Sequence, residues 1–151
     1  MQFLFQEEFF SEGIRLQDDL EARFDQFCLL YPIQKLARPY AIELLQGTLH
    51  HLERIDTLIR DSAVNWRMER IALTDRNLLR IAVYEMLHSA DAPDQVVINE
   101  AVEIAKRYGT EESPAFINGV LDAVRMIIRS SGDGSGQAPI LTSKLEPGRT
   151  R

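Results

Sequence analysis

Residues 113–132, SPAFINGVLDAVRMIIRSSG, contain the clearest helical pattern in the sequence. Their apolar side chains recur every three or four positions, a spacing that places them on one face of an α-helix. Ser113 and Pro114 suit the start of that helix, as N-cap and first-turn proline, and Gly132 suits its end. The stretch predicts a long amphipathic helix. Its candidate core residues are Ile117, Val120, Leu121, Val124, Ile127 and Ile128.

The N-terminal half of the chain has the same periodicity. Residues 39–62 predict one continuous helix with a single apolar stripe running from Ile42 to Ile59. Residues 12–30 predict a second helix, and residues 3–10 predict a short one. The candidate core residues of the 12–30 helix are Ile14, Leu16, Leu20, Phe24, Phe27 and Leu30.

Two more helices are predicted in the C-terminal half. One runs from Thr74, a good N-cap residue, to Leu87, and the other runs over residues 97–108 and stops at Gly109. The candidate core residues of the 97–108 helix are Val97, Ala101, Ile104, Ala105 and Tyr108.

The whole pattern predicts an all-α fold, because no stretch alternates apolar and polar residues as a strand would. We expect a single domain over residues 1–130, with an N-terminal subdomain (1–62) and a C-terminal subdomain (63–130). Residues 131–151 are rich in Gly, Ser and Pro, so a flexible tail is expected there.

Charge and composition limit the possible functions. The chain has 151 residues, 17 basic and 23 acidic, and a net charge of −6, which does not favour a nonspecific nucleic-acid binder. Residues 1–30 alone hold seven acids and two bases, a net −5. The single cysteine and the lack of a long apolar run or a basic leader predict a cytoplasmic protein that is neither secreted nor membrane-bound.

The sequence offers no catalytic constellation. Its helical glycines are isolated and form no phosphate loop, and no cluster has metal-ligand spacing. His50 and His51 are adjacent, so on a helix they would point to different sides. Cys28 lies in an apolar run and is expected to be a buried, inert thiol. We therefore expect no enzyme, no metal and no cofactor.

A few residues have both a structural and a binding interpretation. Phe116, in a first helical turn, either packs under the preceding loop or stacks on a base beside phosphate-binding N–H groups. Lys106 complements a helix C-terminus or contacts phosphate. Asn99 and Asn118 favour buried hydrogen bonds between helices, and Gly119 favours close helix packing, with direct ligand contact as the alternative.

The segment from Trp66 to Arg80 is rich in charge. Arginines alternate there with Glu69 and Asp75, which is typical of a solvated helix face with i, i+4 pairs. The alternative is a recognition surface for a charged protein partner, to which Arg76 would belong.

Three motifs in the C-terminal half carry a family resemblance. They are DRNLLRIAVYEML (75–87), VVINEAVEIAKRYGTEES (96–113) and FINGVLDAV (116–124). In this order and spacing they resemble the NusB family of bacterial transcription antitermination factors, closely over residues 66–129 and loosely over residues 1–62. The resemblance implies a compact all-α fold of about seven helices in two subdomains, without catalysis.

The resemblance also implies partners and site residues. NusB-like proteins bind boxA RNA of ribosomal operons together with NusE, a ribosomal protein, and join other Nus factors and RNA polymerase. Phe116 matches an aromatic that lies against RNA, Phe5 matches a tyrosine of the first helix, and Glu112 matches an acidic loop position linked to RNA and partner affinity. Asp75 matches a NusE-facing acidic position, and Glu69 is expected to share that face.

One family feature is not found in this sequence. NusB-like proteins usually begin with an arginine-rich arm, followed by a stretch that Gln2-Phe3-Leu4-Phe5-Gln6 matches. Either Met1 is an internal methionine or the protein lacks the arm, whose bases would neutralise phosphates. The alternative hypothesis is therefore a protein-interaction module, or a homodimer, with little RNA affinity of its own. An intrinsic enzyme would need a separate cofactor domain, for which the chain has no room.

Overall fold

The computed structural model describes residue 3 and residues 20–31, 33–89 and 91–132. These residues form six α-helices and a short 3-10 helix, which confirms the all-α prediction. Three predicted features lie outside the described residues. They are the helix at residues 3–10 apart from Phe3 (and so Phe5), the start of the 12–30 helix, and the tail beyond Gly132. The helices are α1 (Leu20–Leu30), α2 (Arg38–His50), α3 (Leu52–Ser62), η1 (Met68–Arg70), α4 (Leu73–His88), α5 (Asp94–Tyr108) and α6 (Ser113–Ser131).

The larger core cluster lies among α3, α4, α5 and α6. Helix α6 contacts each of the other three, and Ile117, Leu121 and Val124 on its apolar face are fully buried. The predicted stripe of α6 is thereby confirmed, except that Ile127 is only half-buried. Because this continuous apolar face is buried, the N-terminus of α6 is held against α4.

A smaller core cluster joins Phe3, α1 and α2. The Phe3 ring meets Phe24 and Phe27 edge-on, with centroids 5.5 and 5.4 Å apart, a favourable geometry for aromatic pairs. Cys28 is buried, as predicted. Leu30 was expected in the core but is 74% exposed, because α1 ends there and the side chain lies beyond the cluster.

The predicted 39–62 helix is wrong as a single element. It breaks at His51, whose φ of −105° and ψ of 18° are not helical. The His51 ring nitrogen Nδ1 lies 2.9 Å from the Gly47 carbonyl oxygen, so the side chain bonds to one of the last carbonyls of α2. Beyond the break, Ile55 and Ile59 of α3 join the larger cluster. The subdomain boundary at residues 62–63 stays a prediction.

Several predicted helix starts also need correction. Thr74 is not an N-cap, because α4 already begins at Leu73. Likewise Ser113 is the first residue of α6 and Glu112 occupies the N-cap position. Helix α5 begins at Asp94, three residues before the predicted Val97.

The observed C-terminal ends of α5 and α6 agree with the predicted ones. Gly109 follows α5, and Gly132 ends α6 in the left-handed region with φ of 67°, where glycine is favoured. Near the end of α5, Ile104 and Tyr108 were expected in the core but are 37% and 52% exposed. None of the described helices combines the length and the apolar character needed to cross a membrane.

Candidate functional site

An aromatic pair marks the surface at the start of α6. Phe116, the fourth residue of the helix, is half-buried and packs against the larger core cluster. On its other side it meets Trp66, from the segment between α3 and η1, with ring centroids 5.6 Å apart and ring planes at 67°. Trp66 is 54% exposed. Phe116 therefore packs against the core and Trp66, and its half-buried ring leaves part of its surface accessible for stacking.

A buried hydrogen-bond network holds the loop in front of Phe116, residues 109–112, called here the α5–α6 loop. The Ser113 hydroxyl accepts the Thr110 N–H at 2.9 Å and donates to the Asp75 carboxylate at 2.9 Å. Ser113 and Asp75 are 1% and 6% exposed. At Gly109 a Cβ would lie 2.5 Å from the Ser113 Cβ, so this approach requires glycine. The start of α4 is thus connected directly to the loop.

The backbone donors at the start of α6 are mostly used within the chain. The Ser113 N–H donates to the Thr110 carbonyl at 3.1 Å, and the Phe116 N–H donates to the Glu112 carbonyl at 3.2 Å. Pro114 has no N–H. The exposed Glu112 carboxyl also stands at this helix N-terminus. Phosphate binding by backbone N–H groups, as the sequence suggested for this position, therefore has little support here.

Lys106 lies at the end of α5, on the other side of the α5–α6 loop. Its Nζ is 2.7 Å from the Glu103 Oε1 atom, and both side chains are well exposed. Exposed pairs of this kind contribute little to stability, typically below about 1 kcal/mol. Lys106 can therefore exchange Glu103 for another anion at small cost.

The predicted partner residues lie around η1 and the first turn of α4. The Arg76 Nη1 atom donates to the Met68 carbonyl at 3.1 Å, which ties η1 to α4 and places the exposed Glu69 nearby. Asp75 belongs to the same region, but its carboxylate faces inward to Ser113. Any effect of Asp75 on a partner would be transmitted through the α5–α6 loop.

The expectation of a solvated arginine face is wrong for Arg80. Its guanidinium makes two hydrogen bonds to Asp56 on α3, at 2.8 and 2.9 Å, and a third to Asn77 at 3.1 Å. The Arg80 and Asp56 side chains are only 11% and 14% exposed. This bidentate pair joins α3 to α4.

The buried roles expected for Asn99, Asn118 and Gly119 are also wrong. Both asparagines are exposed, and each is hydrogen-bonded to a residue one helical turn away. Asn99 accepts a bond from Gln95 at 3.0 Å, and Asn118 donates one to Asp122 at 3.5 Å. A Cβ at Gly119 would meet no atom within 4 Å, so no close helix packing requires that glycine.

The histidines lie closer together than expected. The break at His51 brings its ring within 4.9 Å of His50 and 4.4 Å of His88, so the adjacent pair does not point to separate sides. The Tyr84 ring lies against His88, with ring centroids 4.7 Å apart and planes tilted by 32°, and it covers Gly47. Burial, followed by the charges of His51 and Arg54, lowers the pKa of His88 below its ordinary value. Over the described residues no group of three or more side chains is arranged to hold a metal ion.

Comparison with known proteins gives consistent matches. The sequence profile of the NusB family matches residues 1–126. A transcription antitermination protein NusB from Desulfotalea psychrophila is 52% identical over 127 residues, which cover 84% of this chain and 90% of the relative. Another NusB, from Desulfitobacterium hafniense, is 46% identical over 124 residues, 82% of this chain and 81% of its own.

Solved structures match as well. The structure of T. maritima NusB has a TM-score of 0.69 and 40% identity, covering 83% of this chain and 84% of its own. A crystal structure of antitermination factors NusB and NusE in complex with dsRNA has a TM-score of 0.69 and 25% identity, covering 83% and 89%.

Proposed function

The chain belongs to the NusB family of transcription antitermination proteins, and we propose that it binds boxA-type RNA of ribosomal operons together with the ribosomal protein NusE. In this proposal the complex joins other Nus factors and RNA polymerase in the cytoplasm and promotes processive transcription. The family is one of transcription factors, not of enzymes. Support for RNA and NusE as partners comes from the similar NusB chain that was crystallised with NusE and dsRNA.

The observation that carries the RNA proposal is the position of Phe116. Its ring is half-buried on a rigid core, and the adjoining α5–α6 loop is held by the Ser113 network. When a base stacks on a ring that is already held in place, little of the protein has to become ordered. Binding therefore avoids much of the free-energy cost of ordering side chains and loops. Lys106, across the loop, would supply a phosphate contact, and the exposed Glu112 would adjust affinity for RNA and partner.

The partner surface is proposed around η1 and the start of α4. Glu69 is exposed there, where a basic partner surface could meet it, and Arg76 would contribute by holding η1 in place. Asp75 would act indirectly, through Ser113. Phe5, which matches a family tyrosine of the first helix, lies outside the described residues, and an RNA contact at this position is proposed on sequence grounds alone.

A fluorescence-anisotropy titration tests this proposal. Labelled boxA-type RNA is titrated at low salt with the full chain, with NusE, and with both proteins. We expect a complex with the full chain that becomes tighter when NusE is added. Absence of a complex with the chain, both alone and with NusE, would refute the proposal.

A second candidate function is favoured by a different surface. The end of α1 and the following turn expose four apolar side chains: Leu29 is 82% exposed, Leu30 74%, Tyr31 50% and Leu36 94%. Exposed apolar patches commonly mark protein contacts. A protein-interaction module or homodimer with little RNA affinity of its own would use such a surface. Sedimentation analysis of wild type and Leu36→Glu separates this candidate, since only a dimer would dissociate.

A further inference from the structure

We propose that the exposed face of Trp66 is a second base-stacking platform for single-stranded RNA, continuous with Phe116. This inference rests on the proposed RNA-binding function and deepens it. Neither the sequence motifs nor the family resemblance singled out Trp66. In the structure Trp66 lies against Phe116, with ring centroids 5.6 Å apart.

The geometry leaves the indole open in a defined position. With ring planes at 67°, one ring meets the other edge-on, so the two aromatic surfaces are not stacked against each other. Trp66 is 54% exposed, a large fraction for a tryptophan in a folded protein. Its backbone is fixed too, because its N–H donates to the Ala63 carbonyl at 2.9 Å at the end of α3.

The charge beside Trp66 favours RNA over an apolar protein segment. Arg67 and Arg70 follow it closely in sequence and are exposed, and Glu69 is the one acid among residues 63–70. A cationic segment next to an open aromatic ring matches the chemistry of unpaired nucleotides, whose bases stack while their phosphates meet arginine. A base-paired helix would not fit, since its bases are already stacked on one another.

The single tryptophan of the chain gives a direct test. The full chain is titrated with short unlabelled single-stranded boxA-type RNA while tryptophan emission and its quenching by acrylamide are recorded. Anisotropy of the same RNA carrying a label reports total binding in parallel. We expect binding to quench the emission and to protect the indole from acrylamide, and we expect a fully paired RNA of the same length to do neither.

Variants separate stacking from a structural role. Trp66→Ala should weaken RNA binding about 10-fold, whereas Trp66→Phe, which keeps a π-face, should stay within about 3-fold of wild type. Val64→Ala is the matched control, because Val64 is 83% exposed in the same segment and should leave affinity unchanged. If Trp66→Ala does not fold, as judged by circular dichroism, the wild-type emission and Trp66→Phe still decide.

The possible outcomes are distinguishable. Two results would overturn this inference and leave the proposed function intact. In the first, anisotropy shows RNA binding but the tryptophan emission does not change. In the second, Trp66→Ala binds RNA with unchanged affinity. An emission change produced by NusE alone and not by RNA would assign Trp66 to the protein partner and would also overturn it. Absence of RNA binding in every arm would refute the proposed function and this inference together.

Discussion

Replacing Ser113 by alanine tests whether the buried network holds the α5–α6 loop. The Ser113 hydroxyl accepts a bond from the Thr110 N–H and donates one to the Asp75 carboxylate, both 2.9 Å long, and it also lies 3.2 Å from the Thr110 hydroxyl. Alanine keeps the backbone and nearly the same volume, so no steric change accompanies the loss. The variant leaves the Asp75 carboxylate buried without this donor, at 6% exposure.

The magnitude follows from the two bonds. A hydrogen bond to a charged group contributes about 1.5–3 kcal/mol and a neutral one about 0.5–1.5 kcal/mol. Ser113→Ala should therefore lower the free energy of unfolding by about 2–4 kcal/mol. With a urea slope of about 2 kcal/mol per molar, the middle of the range for small proteins, the midpoint should fall by about 1–2 M.

Urea unfolding followed by circular dichroism measures this effect. Ser130→Ala is the matched control on the same helix, because the exposed Ser130 hydroxyl bonds only to the Ile127 carbonyl in the described contacts. The control should change the free energy of unfolding by no more than about 0.5 kcal/mol. If Ser113→Ala is as stable as Ser130→Ala, the network does not hold the loop, and the preorganisation argued for Phe116 is wrong.

Three further substitutions have defined outcomes. Gly119→Ala should stabilise the protein by up to about 1 kcal/mol through helix propensity, because a Cβ there meets open space. Gly47→Ala should instead be neutral or destabilising by up to about 2 kcal/mol. Its Cβ would overlap the Tyr84 ring, and overpacking costs about 1–3 kcal/mol, of which helix propensity offsets up to about 1 kcal/mol. Thermal denaturation compares the two variants, and an equal gain in stability from both would contradict the packing of Tyr84. Burial lowers the pKa of His88, so the unfolded state binds the proton more readily and stability should fall as the pH drops below about 6.5. His88→Gln should reduce that loss, which urea midpoints at about pH 7.5 and about pH 5.5 would measure, and an unchanged pH dependence would refute the assignment.

The sequence predicted best where one helix face meets one core. The stripe of α6 was predicted almost completely, because burial of Ile117, Leu121 and Val124 repeats with the period of the helix itself. The continuous 39–62 helix was predicted wrongly for the opposite reason. Its apolar stripe continues across His51, whereas the structure has non-helical backbone there and a bond between the His51 ring and the Gly47 carbonyl. Hydrophobic periodicity carries no information about such a bond.

The site shows the same limit at the level of side chains. Motifs led to Phe116, but they did not show that Trp66 covers one side of it, because the two residues are distant in sequence. The inward direction of Asp75 and the pairing of Arg80 with Asp56 also depend on which helix packs beside α4. A charged residue in an amphipathic pattern looks the same whether it faces solvent or a neighbouring helix.

We infer that the surface formed by Trp66, Phe116 and the α5–α6 loop faces RNA. The most direct test is to record ¹⁵N–¹H correlation spectra of the full chain while boxA-type RNA is added. We predict that the perturbed amides cluster in residues 64–70 and 106–118, with the Trp66 indole N–H among the most shifted signals. Binding that shifts only amides elsewhere, such as those around Leu30 and Leu36, would contradict the claim.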